Sequence, residues 1–367
     1  MTTIATEPAA AMARALELAA QGRGHVEPNP MVGAVVVRDG RVAGEGFHQR
    51  FGGPHAEPLA IAAAGPDACR GATLYVTLEP CTHHGKTPPC VDAVRAAGFA
   101  RVVVAMVDPD PRTQGRGIDQ LRGAGIEVEV GLLEAEARRL NAPFIKLTTR
   151  GIPFVAAKWA MTLDGKTATR TGDSRWISSP PSRELVHTLR GQADAILVGI
   201  GTALADDPRL TARPPGPRTA TRIVADSRAR LPLASRLVAT AADAPLLVAT
   251  TDAAPADRRQ ALEAAGAEVL VLPDHEGHVS LRALMDELGR RRTTHLLLEG
   301  GGELCAAALA AGLVDKLLIF IAPKLVGGRD APTPVGGAGI GQIAHALAAR
   351  DYSIRRLGDD ALIEAWL

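Results

Sequence analysis

The chain has 367 residues with 41 basic against 40 acidic side chains, a net charge of +1, and its length suggests two domains. Six Phe, three Trp and two Tyr, without a basic stripe, leave no stacking surface for nucleic acid, and no run of 18 apolar residues is present to span a membrane. Four cysteines are too few for a disulfide scaffold, so a cytoplasmic location is the expectation.

The N-terminal stretch MTTIATEPAAAMARALELAA lacks a basic region followed by a continuous apolar core, and reads as a short tail and an amphipathic helix. Short apolar runs then alternate with helical patterns along the whole chain, the pattern of α/β sheets covered by helices. VGAVVV (32–37), TLYVTLE (73–79), RVVVAMVD (101–108) and EVEVG (127–131) are predicted strands. AEPLAIAAAG, CVDAVRAAG and GIDQLRGAG are predicted helices, each closed by a glycine suited to a C-cap. A helical period in LLEAEARRLNAPFIKLTTRG runs into Gly151-Ile152-Pro153. The boundary falls near 146–151, which gives domains of 1–147 and 148–367. In the second domain PFVAAKWAM, AILVG (195–199), TRIVAD (221–226), PLLVAT (245–250), EVLVLP (268–273), HLLLEG (295–300) and KLLIFIAP (316–323) are predicted strands. The terminal ALIEAWL reads as an edge or closing strand, and 213–222 and 326–341 as Pro- and Gly-rich loops.

The first domain carries a metal-ligand pattern. An imidazole and two thiolates, His55, Cys81 and Cys90, are good zinc ligands, and three protein ligands leave one coordination position for water. Glu57, two residues beyond His55 at the start of a helix, is spaced to take a proton from that water and pass it to a leaving amine. His-x-Glu followed by Pro-Cys and a second Cys is the arrangement of zinc-dependent base deaminases. A closed structural zinc with His83 or His84 as fourth ligand is the alternative. Cys69 and Cys305, alone in apolar runs, read as small buried hydrophobes. Eight residues, THHGKTPP, separate Cys81 from Cys90, so the short Cys-x-x-Cys of many deaminases is absent. Its His83, His84 and Lys86 read either as a solvated turn or as a grip on the phosphate of a nucleotide-like substrate. A deaminase acting on bases in RNA would share Glu57 and zinc, but near-neutral charge and scarce aromatics oppose it. Asn29, in EPNPMVG, is either a turn residue or an amide that holds a substrate ring, and His48 is either packing or a substrate contact.

No G-x-G-x-x-G opens the second domain, so a standard Rossmann reading is weak. Two glycine clusters follow predicted strands: Gly199, Gly201 and Thr202, and Gly300 to Gly302. Each is a tight packing turn or a phosphate cradle, and two in one sheet favour a dinucleotide.

EPNPMVGAVVV, GEGFHQRFGGPHAE, YVTLEPCTHHGKTPPC and DPDP resemble the deaminase half of the bifunctional riboflavin-biosynthesis deaminase/reductases. KWAMTLDGKTAT, GDSRWIS, GTALADDPRLTAR, LEGGGEL and IAPKLVGG resemble the reductase half, and the resemblance spans roughly residues 8–365. Glu27 and Pro58 depart from the family's usual residues, and proline is tolerated in a first helical turn. The resemblance implies a cytidine-deaminase-like three-layer domain and a dihydrofolate-reductase-like domain, with one Zn2+ per chain and NADPH; a homo-oligomer is the expected assembly, its order not set by the sequence. It implies deamination of 2,5-diamino-6-(5-phosphoribosylamino)pyrimidin-4(3H)-one, then reduction of the product's ribosyl group to ribityl. The only partner implied is this phosphoribosylated small molecule. Asn29, His48, His83 and Lys86 match substrate positions of the deaminase. In the reductase, Ala160, Trp176, Thr202, Asp206, Ser227 and Gly301 to Leu304 (Gly301, Gly302, Glu303, Leu304) match cofactor positions. Ser174, Arg190, Leu210, Arg213 and Glu299 match substrate positions, and the two arginines suit a ribose phosphate. Asp206 is the family's candidate acid/base, with Lys158 or water as rival proton donors. Asp207 reads as an Asx turn before Pro208, and Ser227, with Arg228 beside it, as a contact to the adenosine 2′-phosphate.

Overall fold

In the computed structural model, which describes residues 7–367, the valine-rich runs of the first part join in one sheet. The strands are β1 (Gly33–Arg38), β2 (Arg41–Phe47), β3 (Thr73–Val76), β4 (Arg101–Val104) and β5 (Glu127–Val130), in the order β2-β1-β3-β4-β5. β1 is antiparallel to β2 and β3, whereas β3, β4 and β5 run parallel. Helices α1 (Pro8–Ala20), α2 (Ala56–Ala64), α3 (Pro66–Cys69), α4 (Cys90–Ala97), α5 (Arg116–Gly123), α6 (Glu134–Leu140) and α7 (Ala142–Arg150) complete the unit. Val35, Val36, Leu74, Val102 and Val103 are fully buried, as strands covered on both faces require. The first part of the N-terminal tail lies outside the described residues.

β2 is absent from the predicted strands because its run RVAGEGF carries two glycines, which lower strand propensity. The glycines serve the neighbouring helix. A Cβ at Gly44 would stand 2.5 Å from the Ala60 carbonyl oxygen, and one at Gly46 2.5 Å from that of Ala56. α2 therefore rests directly on the β2 backbone, and this close approach sets where its N-terminal residues His55 and Glu57 project.

The first compact unit ends at Gly151 and the second is Ile152–Leu367. The expected division at 147/148 falls inside α7, which continues to its left-handed C-cap Gly151 at φ 67°. The second unit contains β6 (Phe154–Thr162), β7 (Ala195–Gly199), β8 (Thr221–Ala225), β9 (Leu246–Thr250), β10 (Glu268–Val271), β11 (Asp274–His275), β12 (His278–Val279), β13 (His295–Leu298), β14 (Lys316–Ala322), β15 (Asp351–Leu357) and β16 (Asp360–Trp366). Its helices are α8 (Pro180–Gln192), α9 (Ile200–Asp206), α10 (Arg236–Ala239), α11 (Ala256–Ala264), α12 (Leu281–Arg290) and α13 (Gly302–Ala310). The large sheet has the order β10-β9-β8-β7-β13-β6-β14-β16-β15. It is parallel from β10 to β14, and antiparallel from β14 through β16 to β15. ALIEAWL, expected at an edge or as the closing strand, forms β16 and is covered on both sides, and β15 holds the edge instead. β15 was hidden in the sequence because only three of its seven residues, DYSIRRL, are apolar or aromatic. β13 inserts between β6 and β7, so a crevice opens at the carboxyl ends of these strands, where ligands of open α/β sheets bind. No helix among the described residues is long and apolar enough to cross a membrane.

Candidate active sites

In the first unit His55 is the N-cap of α2, Glu57 stands in its first turn, and Cys90 opens α4. Donor atoms of His55, Cys81 and Cys90 lie within 4.8 Å of one another. His55 Nδ1 faces Cys90 Sγ at 3.2 Å and Cys81 Sγ at 3.6 Å, while its Nε2 faces Thr87 Oγ1 at 3.5 Å. A proton on Nε2, donated to Thr87, leaves Nδ1 as the ligand atom. The hydrogen bond between the thiols pushes Cys81 down and Cys90 up, and burial adds to the rise at Cys90. Two thiolates at this separation need a cation, and a coordinating thiol is deprotonated outright. The donor set thus fits zinc with three protein ligands. Neither His83 nor His84 belongs to the cluster, so among the described residues the four-ligand alternative lacks its fourth donor.

Glu57 is 3% exposed, and no hydrogen bond reaches its Oε2. Burial, then the Cys81 charge, raises its carboxyl to about 7. A buried polar atom without a protein partner next to a ligand set is poised for water or substrate. Asn29 Nδ2 faces His48 Nε2 at 3.3 Å, and His48 Nδ1 faces the Pro54 carbonyl oxygen at 2.9 Å. His48 is thus held with its proton on Nδ1, edge-on to the His55 ring with centroids 5.2 Å apart, and burial lowers its pKa. His83 Nδ1 meets Thr113 Oγ1 at 3.3 Å, and the Lys86 ammonium lies 4.0 Å from the Phe51 ring centroid. Sequence reasoning missed Glu79. Its carboxylate accepts from the backbone amides of Asp108, Gly115, Gly117 and Ile118. It thereby ties the turn before Cys81 to the segment that holds His83. The signal was a glutamate directly before Pro-Cys, and its partners lie 29 to 39 residues away.

In the second unit a cavity of about 680 Å³ opens at the ends of β6, β7 and β13. Ala160, Trp176, Thr202, Asp206 and Gly301 to Leu304 line it. So do Ser174, Arg190, Leu210, Arg213 and Glu299. Gly301 is the N-cap of α13, whose first-turn amides lack intrahelical acceptors, so the glycine cluster and the Trp176 ring fit a dinucleotide. Ser227 does not line the cavity: its Oγ accepts from Val279 N at 3.0 Å. Arg228 is exposed beside it.

Arg190 grips Glu299 with two bonds, Nε to Oε1 at 2.6 Å and Nη2 to Oε2 at 2.9 Å, and Lys158 Nζ lies 3.8 Å from Oε2. Burial pushes the Glu299 carboxyl up, but Arg190 and Lys158 prevail and hold it at about 2. Two of Arg190's five N–H donors are thus committed to Glu299, and the other three remain to meet substrate. Burial lowers the Lys158 pKa. Asp206 ends α9, and its carboxyl is raised by desolvation on the cavity side, against Arg175, although the residue still reaches solvent. Asp207 makes no Asx turn. It caps α9 at φ 40°, and its Oδ1 accepts from Arg236 N at 2.7 Å, binding α10 to this corner. Trp176, 64% exposed, is held by the Arg183 guanidinium 4.8 Å from its ring centroid and by Lys324 Nζ on its carbonyl oxygen at 2.5 Å. These two cations also escaped the sequence reading, since a lysine 148 residues away gives no local signal.

Residues 153–363 match the family model of the RibD C-terminal domain, and residues 6–106 that of the cytidine and deoxycytidylate deaminase zinc-binding region. The chain is 43% identical to the riboflavin biosynthesis protein RibD of Aquifex aeolicus over 353 residues, 96% of each chain. It is 44% identical to that of Escherichia coli over 365 residues, 96% of this chain and 97% of the other. The structure of Acinetobacter baumannii RibD superposes with a TM-score of 0.86 at 36% identity, covering 98% of both chains. The diaminohydroxyphosphoribosylaminopyrimidine deaminase/5-amino-6-(5-phosphoribosylamino)uracil reductase of Thermotoga maritima does so with a TM-score of 0.84 at 38% identity, also covering 98% of both.

Proposed function

The chain belongs to the RibD family of bifunctional riboflavin-biosynthesis deaminase/reductases, and from that premise we propose which of its residues carry the two reactions. It deaminates 2,5-diamino-6-(5-phosphoribosylamino)pyrimidin-4(3H)-one and reduces the ribosyl side chain of the resulting uracil to ribityl. We assign deamination to residues 1–147 and reduction to 148–367. When bound, zinc supplies Lewis acidity that lowers the pKa of water to about 7, and NADPH supplies a hydride.

In the deaminase, His55, Cys81 and Cys90 would hold the zinc. Glu57 Oε2 takes a proton from the attacking water and passes the water's two protons, one to the adjacent ring nitrogen and one to the amine, so that the water oxygen stays on the ring as the carbonyl and the amine leaves as ammonia. Asn29 and His48 form one polar wall for the pyrimidine, and His83 and Lys86 meet the ribose phosphate. In the reductase, Arg213 meets the same phosphate, with Ser174, Leu210 and the Arg190–Glu299 pair around the ribose. Ala160, Trp176, Thr202 and Gly301 to Leu304 contact the cofactor, and its adenosine end extends beyond the cavity to Ser227, whose hydroxyl accepts from Val279 N and can still donate. Asp206 supplies the proton to the reduced sugar oxygen, with Lys158, which also lines the cavity, or water as the rival donor. The observation that carries this reading is the buried Glu57 oxygen without a partner beside three zinc donors. Glu57→Gln should keep zinc and abolish ammonia release, while NADPH oxidation on the deaminated ribotide continues. Full deaminase turnover in that variant would sink the mechanism.

The homo-oligomer is proposed on β15. Among the described residues no strand adds to its outer side, and Tyr352 and Ile354 are 65% and 62% exposed, which makes it a template for pairing with a second copy. A cytoplasmic location is proposed because NADPH and a phosphorylated ribotide are charged metabolites that do not cross membranes.

A further inference from the structure

MTLDGKTAT closes β6, and no role described so far uses its carboxylate. Asp164 accepts hydrogen bonds from Thr162 Oγ1 at 2.6 Å, Val326 N at 3.2 Å and Gly327 N at 2.6 Å. The last two donors belong to the Gly/Pro-rich segment 324–337, which has no helix or strand of its own. The same turn holds that segment at three more points. Leu163 N donates to Lys324 O at 2.9 Å, Lys166 Nζ to Ala331 O at 3.1 Å and Thr167 N to Pro332 O at 2.9 Å. The far end is tied to the glycine cluster, with Gly336 N on Gly302 O at 3.0 Å and Gly337 N on Glu303 Oε1 at 3.2 Å. A Cβ at Gly302 would lie 2.8 Å from Thr333 O. This glycine is therefore required by the segment, whatever approaches its other side. Between the two anchored ends, Pro332, Thr333 and Pro334 line the cavity next to Gly301 to Leu304.

The segment is thus a strap from the end of β6 to the start of α13, forming part of the cavity wall, and its position depends on anchors outside itself. We propose that Asp164 is a positioning residue for the reduction: by holding Val326 and Gly327 it keeps the strap where residues 332–334 form a preformed wall for the pyridine dinucleotide. This rests on the reading that the cavity takes NADPH. The Thr162 hydroxyl and then the Gly327 amide hold the Asp164 carboxyl down at about 2, so the anchor is charged at any working pH. Without it residues 326–327 lose their anchor while the other bonds remain, so the strap is held less firmly, and the ordering that binding must then supply is lost from cofactor affinity.

The test uses full-length, zinc-loaded Asp164→Ala and Asp164→Asn. Asp164→Ala should raise the Kd and KM for NADPH about tenfold or more, with kcat reduced less and ammonia release unchanged. Trypsin should cut after Lys324 and Arg329 faster in the variant than in the wild type, and saturating NADPH should restore the wild-type rate. Asp164→Asn, which keeps one acceptor oxygen, should be intermediate, and it carries the test if the alanine variant does not fold. Wild-type NADPH affinity and cleavage rate in the folded variants overturn the proposal. So does a parallel loss of deamination, which marks general destabilisation. A wild-type enzyme that does not bind NADPH would overturn the cofactor reading instead.

Discussion

Replacing Gly46 by alanine tests whether the contact between α2 and β2 positions the deaminase site. The new Cβ would stand 2.5 Å from Ala56 O and from Ala60 N, and 2.8 Å from Leu59 Cβ, where ordinary contact begins near 3.4 Å. Two of these three atoms are helix backbone, so no flexible tip can yield, and α2 must retreat by about 1 Å. Overpacking of this kind costs about 1–3 kcal/mol, against a typical total stability of about 5–15 kcal/mol, so the protein stays folded. Glu57 rides on α2 and His55 caps it. A displacement of about 1 Å at a catalytic group lowers turnover on the order of 100-fold. The expected result is a deaminase impaired by about that factor, with NADPH oxidation on the deaminated ribotide unchanged. Ammonia release, zinc content and calorimetric Tm measured together check it. Gly123→Ala is the control: a Cβ there meets nothing within 4 Å at the end of α5, and alanine favours the helix by up to about 1 kcal/mol. Wild-type deamination and zinc affinity in Gly46→Ala would refute the view that α2 is positioned by the glycines beneath it.

Glu299 titrates near 2 in the fold, below its ordinary value of 4.5, so the stability it contributes is fully present above about pH 4.5 and is lost as pH falls toward 2. That shift corresponds to about 3 kcal/mol. Glu299→Gln should be destabilised at neutral pH because Arg190 is left buried and unpaired, and should lose this part of the acid dependence in pH-resolved denaturation; an unchanged acid slope argues against the pairing. Cys90→Ser should lower bound zinc, measured by metal analysis, and abolish deamination while sparing NADPH oxidation; stoichiometric zinc in that variant would remove Cys90 from the ligand set. Ile354→Lys places a charge on the β15 edge and should shift the sedimenting species toward monomer, whereas an assembly that survives it does not pair through β15.

The parts legible in the sequence are those whose signal is local. Buried strands announce themselves as runs such as VGAVVV and RVVVAMV, because a strand covered on both faces must be apolar throughout. His55-x-Glu57 and Cys81 with Cys90 are readable because metal chemistry restricts the donor types and a helix start sets the offset of the carboxylate. The glycine cluster at 300–302 points to a strand-to-helix turn for the same reason. What only the tertiary structure decided depends on chain segments far apart in sequence. Glycines that disqualify RVAGEGF as a strand are the reason a helix can lie on it. Arg190, which as a sequence position suits a phosphate, is bound by Glu299, 109 residues away. Asp164 is a turn residue until Gly327, 163 residues later, donates to it. Residue types set which bonds each group can form, but burial and strand order choose the partner, because a buried charge takes whichever opposite group the fold brings within reach.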